Sequence, residues 1–449
     1  MFFLSGFAKV NVQALKPEDI EAIRAELTYT PKVFDRGIKK QEVPEPIYGY
    51  RRKGLFYELP LYWAINRWPK AQWKDNRTTG PEMSELANKK IVPRNDKQKA
   101  FFDSILRQLY VHGLGFANAE AGSGKTVAGI NTISFFGGRA LIVVPMTDMI
   151  GQWANEITRF LDIPPEDIGI IQQDRCEYHK PVCIASLDSL VQREYPAALY
   201  KAFRTVVYDE VSAAGARKRS RVLGMFSARY QLALDATPNR RDGCEGLFLN
   251  YFGADFINSE QKVLPCLVKK VDYYFAYKTY VRNSFNNGIC ASAVATNENR
   301  NLFLAMWIRK LHKYANGFGV LGIGDRIEQL ELLKIILLQV HGLNAEVFVS
   351  KTSDAEKERI LAEAPIILAT RGMFRMARNV PRLAAGIELT PASAARQELG
   401  RIRRTMQGSN KPVPLWITVI EKGIPFFERV ALKRLKECRQ LPQVTVLDE

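Results

Sequence analysis

Ala119-Glu-Ala-Gly-Ser-Gly-Lys-Thr126, set directly after an apolar stretch and directly before Val127-Ala-Gly-Ile130, decides how the rest of this chain is read. It has the make-up of a phosphate-binding loop. Gly122 and Gly124 let backbone N–H groups, those of Ala121 and Ser123 among them, crowd round a polyphosphate. Lys125 can reach the outer phosphates, and the Thr126 hydroxyl can hold Mg²⁺. Where the usual pattern opens on glycine, this chain has Ala119.

Around that loop, from about residue 91 to 255, short β-rich apolar runs alternate with helical stretches. The runs include Ala140-Leu-Ile-Val-Val-Pro145, Val182-Cys-Ile-Ala185, Thr205-Val-Val-Tyr208 and Tyr230-Gln-Leu-Ala-Leu234. Buried strands separated by helices predict a parallel sheet with right-handed crossovers. The rhythm returns after about residue 298, in Gly319-Val-Leu-Gly-Ile323, Ala345-Glu-Val-Phe-Val349, Pro365-Ile-Ile-Leu-Ala369, Ala385-Gly-Ile-Glu-Leu389 and Leu415-Trp-Ile-Thr-Val419. Two α/β lobes in tandem follow, 91–255 and 298–449, the second ending in a C-terminal helix. Residues 256–297, with Lys269-Lys-Val-Asp-Tyr-Tyr-Phe275 and Asn286-Asn-Gly288, break the rhythm and read as an inter-lobe connector or insertion. Residues 1–90 mix aromatic, basic and proline residues. Between Pro44 and Trp63 they predict short strands around a Lys53-Gly54 turn, a small N-terminal α+β module.

Composition bounds the partners. At 449 residues the chain is too long for one ordinary core, and 47% hydrophobic with 25% charged residues is a normal globular balance. Lys and Arg outnumber Asp and Glu by 64 to 47, a net charge of +17 that favours an anionic partner such as nucleic acid. A ribosomal or membrane-surface partner would fit that charge too. No apolar run reaches membrane-spanning length, and the first residues lack a signal-peptide pattern, so no membrane association is expected. Six cysteines without a CxxC pair suggest reduced, structural thiols and a cytoplasmic setting. His112, His179, His312 and His341 are scattered singly and suggest no metal site.

A lysine on a polyphosphate needs a metal-holding carboxylate and a base for water, and both should end a neighbouring buried strand. Val206-Val-Tyr-Asp-Glu210 supplies them: Asp209 would position Mg²⁺ and Glu210 would polarise the attacking water, for in-line hydrolysis of ATP. Acidic residues also end strands as plain solvated caps. The matching loop in the same lobe decides for chemistry.

With these residues in place the chain resembles the superfamily 2 helicases and translocases. Their first motif is typically Ala-x-x-Gly-x-Gly-Lys-Thr, which accounts for Ala119. Asp209-Glu-Val-Ser212 stands where they carry Asp-Glu-x-His or Asp-Glu-Ala-Asp, and Leu234-Asp-Ala-Thr-Pro-Asn-Arg240 is similar to their Leu-Thr-Ala-Thr-Pro-x-Arg element. The resemblance makes Ser212 and Thr237 coupling residues between hydrolysis and movement. Val143-Val-Pro145 with Gln152-Trp153, and Ile184-Ala-Ser-Leu-Asp-Ser-Leu190, resemble motifs at the nucleic-acid backbone, which implies contacts at Pro145 and Ser186. Pro93-Arg-Asn-Asp-Lys-Gln98 resembles the adenine-reading element, with Gln98 facing the base and Arg94 near it.

In the second lobe, Gln397-Glu-Leu-Gly-Arg-Ile-Arg-Arg404 resembles Gln-x-x-Gly-Arg-x-x-Arg. The resemblance implies two RecA-like lobes, with Gln397, Arg401 and Arg404 serving hydrolysis and the two arginines neutralising the γ-phosphate. Gly322-Ile-Gly-Asp-Arg-Ile-Glu328 and the segment Ala369-Thr-Arg-Gly-Met-Phe-Arg-Met-Ala-Arg-Asn-Val-Pro381 align with further motifs, with Arg326 and Thr370 as phosphate-backbone contacts. Ser212, Met376-Ala377 and Asn379 depart from the family, which usually has His or Asp, Glu-Gly and Asp there. A Ser can donate only one short hydrogen bond toward the coupling motif.

The resemblance spans about residues 93–420. A narrower likeness lies in Leu27-Thr-Tyr-Thr-Pro-Lys-Val33, Tyr50-Arg51 and Leu59-Pro-Leu-Tyr62, which are similar to the leader of compact phage and large-virus helicases, the phage branch-migration and poxvirus transcript-release types. It implies an ATP- and Mg²⁺-dependent DNA helicase of phage replication and recombination, a monomer or weak oligomer in the host cytoplasm, acting on forked or four-way junction DNA. An RNA helicase, a remodeller that separates no strands and a non-catalytic binding module remain alternatives. A restriction-type translocase is disfavoured by the lack of room for a large nuclease block. Two basic segments stay outside the motifs: Arg217-Lys-Arg-Ser-Arg221, which as a loop could follow DNA, and Tyr48, Tyr50, Arg51, Arg52 and Lys53, which could stack on or flank bases. A solvated helix face and the core of a small domain would explain them equally.

Overall fold

Leu114–Asn118, Ala140–Val144, Val182–Ser186, Thr205–Asp209 and Tyr230–Asp235 are almost wholly buried strands, and each pairs in parallel with its neighbours. Continuous apolar runs are what a strand covered on both faces requires. The structure, a computed structural model, describes the chain apart from residues 33–43, 88, 90, 120–123, 237, 241, 254–256, 259–263, 275–286, 377–379, 394, 405–409 and 448–449; the side chains of 258, 287–290, 354, 375, 376 and 397 are likewise outside the description. It divides into two units, the first ending at residue 261.

In the first unit the eight-stranded sheet runs in the order Arg175–Cys176, Ile168–Gln172, Val182–Ser186, Ala140–Val144, Thr205–Asp209, Tyr230–Asp235, Leu114–Asn118, Ile257–Asn258. Its one antiparallel pairing is the short hairpin of Ile168–Gln172 with Arg175–Cys176. Helices Asp96–His112, Lys125–Phe136 and Asp148–Leu161 pack their apolar faces against one side, around Phe102, Ile133 and Trp153. The parallel register puts Asn118, Asp235, Asp209, Val144 and Ser186 along one carboxyl edge. In open α/β sheets that edge is where ligands bind.

The N-terminal module belongs to the same unit. A five-stranded sheet, in the order Arg51–Lys53, Phe56–Leu59, Ala8–Asn11, Phe2–Leu4, Trp73–Asp75, covers helices Pro17–Glu26 and Leu61–Arg67 around Leu4, Ile23, Leu59 and Trp63. It is fastened to the α/β sheet at Gly224. That residue has φ +78°, and a Cβ there would lie 2.4 Å from the Phe7 ring, so only glycine fits.

The second unit has a seven-stranded, all-parallel sheet in the order Glu346–Phe348, Ile366–Thr370, Gly319–Gly324, Leu383–Glu388, Leu415–Lys422, Cys266–Tyr274, Val444–Leu447. This corrects the connector reading of residues 256–297, because Cys266–Tyr274 is an integral strand with eight residues paired to Leu415–Lys422. Its pattern hides it. Val444–Leu447 covers only the Cys266–Lys269 end, so Lys269, Lys270, Asp272 and the exposed Tyr274 interrupt the apolar run. Five described cysteines, Cys176, Cys183, Cys244, Cys266 and Cys438, are free thiols. Among the described residues no helix is long and apolar enough to cross a membrane.

Candidate functional site

Helix Lys125–Phe136 begins one residue after Gly124, which sits in the left-handed region at φ +96°. A Cβ at Gly124 would lie 2.2 Å from Gln98 Nε2, so the loop closes directly over Gln98. Ala121, Gly122 and Ser123 lie outside the described residues. Lys125 and Thr126 form the first turn of the helix, where backbone N–H groups and the helix dipole favour an anion.

Gln98 is held on a short leash. Asn95 caps the helix Asp96–His112 by accepting from Gln98 N at 2.9 Å, and Gln98 Oε1 accepts from Arg94 N at 2.7 Å. Gln98 Nε2 is buried and, among the described residues, has no hydrogen-bond partner. A buried amide without an acceptor is costly, so a bound acceptor is the natural explanation. Gln98→Glu keeps the shape and the acceptor and loses the donor. It is expected to raise KM for ATP by about 3- to 10-fold with kcat changed by less than about twofold. Steady-state kinetics on the full chain measure this, and an unchanged KM would remove Gln98 from nucleotide binding.

Two adjacent carboxylates end the strand Thr205–Asp209 in different surroundings. Asp209 is 8% exposed; its Oδ2 accepts from Trp153 Nε1 at 2.9 Å and its Oδ1 from Glu210 N at 3.0 Å. Burial pushes the Asp209 carboxyl above its usual range, with the Lys125 charge and the Trp153 bond opposing it. Lys125 and Asp209 are therefore electrostatic neighbours. Glu210 is exposed and left-handed, at φ +46° and ψ +54°. Such a conformation in a non-glycine residue costs about 1–3 kcal/mol and gathers at functional sites. A carboxylate and a hydroxyl are hard oxygen donors, so Asp209 and Thr126 suit Mg²⁺, which would neutralise charge on bound phosphates.

Asp235 was not singled out by the sequence. Its carboxylate accepts from Ser212 N at 2.7 Å, and its backbone oxygen accepts from Ala119 N at 2.8 Å. One residue thus ties the start of the phosphate loop to the segment after Glu210. The link to Ser212 runs through its backbone N–H. Arg240 braces the same place, donating to Ser212 O and bonding Asp242 at 2.9 and 2.5 Å. Thr237 lies outside the described residues.

The residues assigned to nucleic-acid contact fare differently. Pro145 and Ser186 stand at the carboxyl edge but are buried. Any contact there falls to backbone, since both side chains are buried. Trp153, from a motif read as backbone-binding, is fully buried and serves Asp209 instead.

In the second unit Thr370 ends the strand Ile366–Thr370, and Arg326 caps the helix Ile327–His341, with Nε 3.3 Å from Ser292 Oγ. Between them lies a buried ion network. Arg371 reaches Asp325 at 3.2 Å, Glu398 and Thr390 O; Arg434 reaches Glu398 and Glu388 at 2.7 Å each and lies over Trp416. Buried charges are tolerated only when paired, so this network fixes how the helix Arg396–Ile402 sits on the sheet. Arg401 is partly exposed on that helix. Arg404 follows it at 8% exposure; burial pushes its guanidinium down to about 9, with Arg401 adding to the effect. The Gln397 side chain is outside the description, as are Ala377 and Asn379. Lys411 Nζ donates to Ile402 O and Arg404 O at 2.8 Å each, pinning the helix end.

Comparison with known proteins follows this geometry. The family described as type III restriction enzyme, res subunit, matches residues 91–240. Over 432 residues the chain is 25% identical to a protein of Acanthamoeba polyphaga mimivirus named as an ATP-dependent RNA helicase, L396, with 92% of this chain and 80% of that one covered. Over 383 residues it is 24% identical to a protein of Escherichia phage T5 named as a helicase, D10, with 83% and 77% covered. A shorter stretch of 134 residues, 30% of this chain and 29% of the other, is 32% identical to the DNA 3'-5' translocase XPB2 of Sulfurisphaera tokodaii.

Proposed function

We propose that this chain, which belongs to the superfamily 2 helicases and hydrolyses ATP to act on nucleic acid, is a DNA motor that unwinds or branch-migrates forked and four-way junctions. The observation that supports the reading is the meeting of Lys125, Asp209, Glu210 and Asp235 near one carboxyl edge, with Asp235 bonded to Ser212 N. In this reading Lys125 holds the outer phosphates, Thr126 and Asp209 hold Mg²⁺, Gln98 and Arg94 meet the base, and Glu210 accepts the proton of the attacking water. Gln397, Arg401 and Arg404 keep the γ-phosphate role that the motif resemblance implies. DNA is supported by the likeness of a 134-residue stretch to a protein named as a DNA translocase, while the +17 net charge suits either nucleic acid. The setting proposed is the cytoplasm of an infected host, and the acting form a monomer or weak oligomer.

RNA is the second reading, favoured by the name of the mimivirus relative, which covers 92% of this chain. ATP turnover and strand displacement measured on single-stranded DNA, duplex, fork, four-way junction and RNA separate the two. The DNA reading expects turnover to rise on single-stranded and forked DNA, with displacement greatest at forks and junctions. Stimulation by RNA alone would replace it, and stimulation without displacement would leave a remodeller.

A further inference from the structure

Two basic segments far apart in sequence, neither used by the hydrolytic site, meet in the first unit. Segments 45–51 and 217–221 line a groove of about 620 Å³ whose walls are Glu45 to Tyr48, Tyr50 and Arg51 on one side and Arg217, Ser220 and Arg221 on the other. That volume falls in the range of roughly 300–1,000 Å³ seen for clefts that take small ligands, though this groove is open to solvent on one side. Tyr48 is 58% exposed and meets Tyr50 edge-on at 5.6 Å, which leaves a ring face of Tyr48 open. The strand Arg51–Lys53 beside it is exposed at every position.

The charges are unequal. Glu58 alone is shared by Lys9, Arg51 and Lys53, and Glu45 and Asp188 engage Arg217 and Arg219. Arg51, Arg217 and Arg221 line the groove against Glu45 alone, and among the described residues Arg221 makes no ion pair, so the groove keeps a positive excess. Charges on an edge strand also discourage strand-to-strand association. That accounts for Arg51–Lys53, but not for an exposed tyrosine beside them or for a second basic loop closing the opposite wall.

The wall is rigidly built. Arg217 bonds Glu45 at 3.0 Å and the backbone oxygens of Glu45 and Pro46, Arg219 bonds Asp188 at 2.8 and 2.7 Å, and Arg51 lies 4.4 Å over Phe7, which seats on Gly224. The basic loop is also the continuation of the strand end that carries Glu210, through the short helix Val211–Gly215.

We propose that this groove holds an unpaired nucleic-acid strand, with a base stacked on Tyr48 and the backbone flanked by Arg51, Arg217 and Arg221. An aromatic face set in a cationic track is how single strands are bound without sequence preference. The inference rests on the nucleic-acid motor reading above, and it assigns one strand of a fork to the seam between the N-terminal module and the α/β sheet.

The test is the affinity of the full chain for a labelled oligothymidylate and for a fork, by fluorescence anisotropy over a salt series, alongside ATP turnover without nucleic acid. Tyr48→Ala is expected to weaken oligothymidylate binding by about 5- to 100-fold, and Tyr48→Phe to leave it unchanged. Arg221→Ala is expected to reduce the salt slope by about 0.7. Basal turnover and melting temperature should match wild type in all three, since the side chains are exposed. If wild type binds and Tyr48→Ala and Arg221→Ala bind equally well, the groove inference is overturned and the motor reading stands. Loss of binding to an acidic peptide but not to DNA would overturn it in favour of a protein partner. If wild type binds no nucleic acid at all, the motor reading itself fails.

Discussion

Glu210→Gln is expected to lower ATP turnover by about 10²–10⁴-fold while changing ATP affinity by less than about threefold. The expectation follows from how differently the two neighbouring carboxylates are housed. Asp209 is buried, and each of its oxygens already accepts an N–H, from Trp153 and from Glu210. It is suited to hold a cation and poorly placed to take a proton from water. Glu210 is turned outward by its left-handed backbone and stays exposed at the same strand end. One carboxylate is buried and hydrogen-bonded and the other exposed, and that difference assigns their roles. Gln keeps size and hydrogen bonding but cannot accept the proton, so binding survives and chemistry does not. Nucleotide binding by a fluorescent ATP analogue, with single-turnover hydrolysis, separates the two. Turnover within tenfold of wild type would mean that the base lies elsewhere. Lys125→Ala should differ in kind, losing affinity as well as rate.

The sheets were legible because a strand covered on both faces must be apolar throughout, as Ala140–Val144 and Val182–Ser186 are. Cys266–Tyr274 was not, since a partly covered strand tolerates Lys269, Lys270 and Asp272, and such a mixture looks like a linker. The site divides the same way. Lys125, Asp209 and Glu210 announce themselves by residue type and spacing. Trp153 does not, because a tryptophan in a helix says nothing of which carboxylate its N–H will find across 56 residues of sequence. Burial likewise recasts Pro145 and Ser186, whose motifs are at the expected edge while their side chains face inward. The ion network of Asp325, Arg371 and Glu398 joins three motifs read separately, and only the tertiary fold reveals that they share charges.

Asp235→Ala is expected to reduce the stimulation of ATP turnover by nucleic acid about 10- to 100-fold, while unstimulated turnover falls by less than about threefold. Where the family carries His or Asp at position 212 and Thr at position 235, this chain has Ser and Asp. The backbone N–H of Ser212 donates to the carboxylate of Asp235 at 2.7 Å, a bond that would carry the coupling the resemblance assigns to Ser212 and Thr237. A hydrogen bond to an ionised group is worth about 1.5–3 kcal/mol, roughly the energy of the predicted loss. Asp235 also holds Ala119 N through its own backbone, a contact that alanine preserves. The phosphate loop should therefore stay in place, and the damage should fall on communication more than on binding. Asp235→Asn, which keeps an acceptor oxygen, should recover part of the stimulation. Ser212→Ala is the decisive control, because it leaves the backbone N–H untouched. If Ser212→Ala abolishes stimulation as strongly as Asp235→Ala, the hydroxyl is the coupling group and the backbone link is refuted. If Ser212→Ala behaves as wild type while Asp235→Ala does not, the bond from Ser212 N to the Asp235 carboxylate carries the coupling.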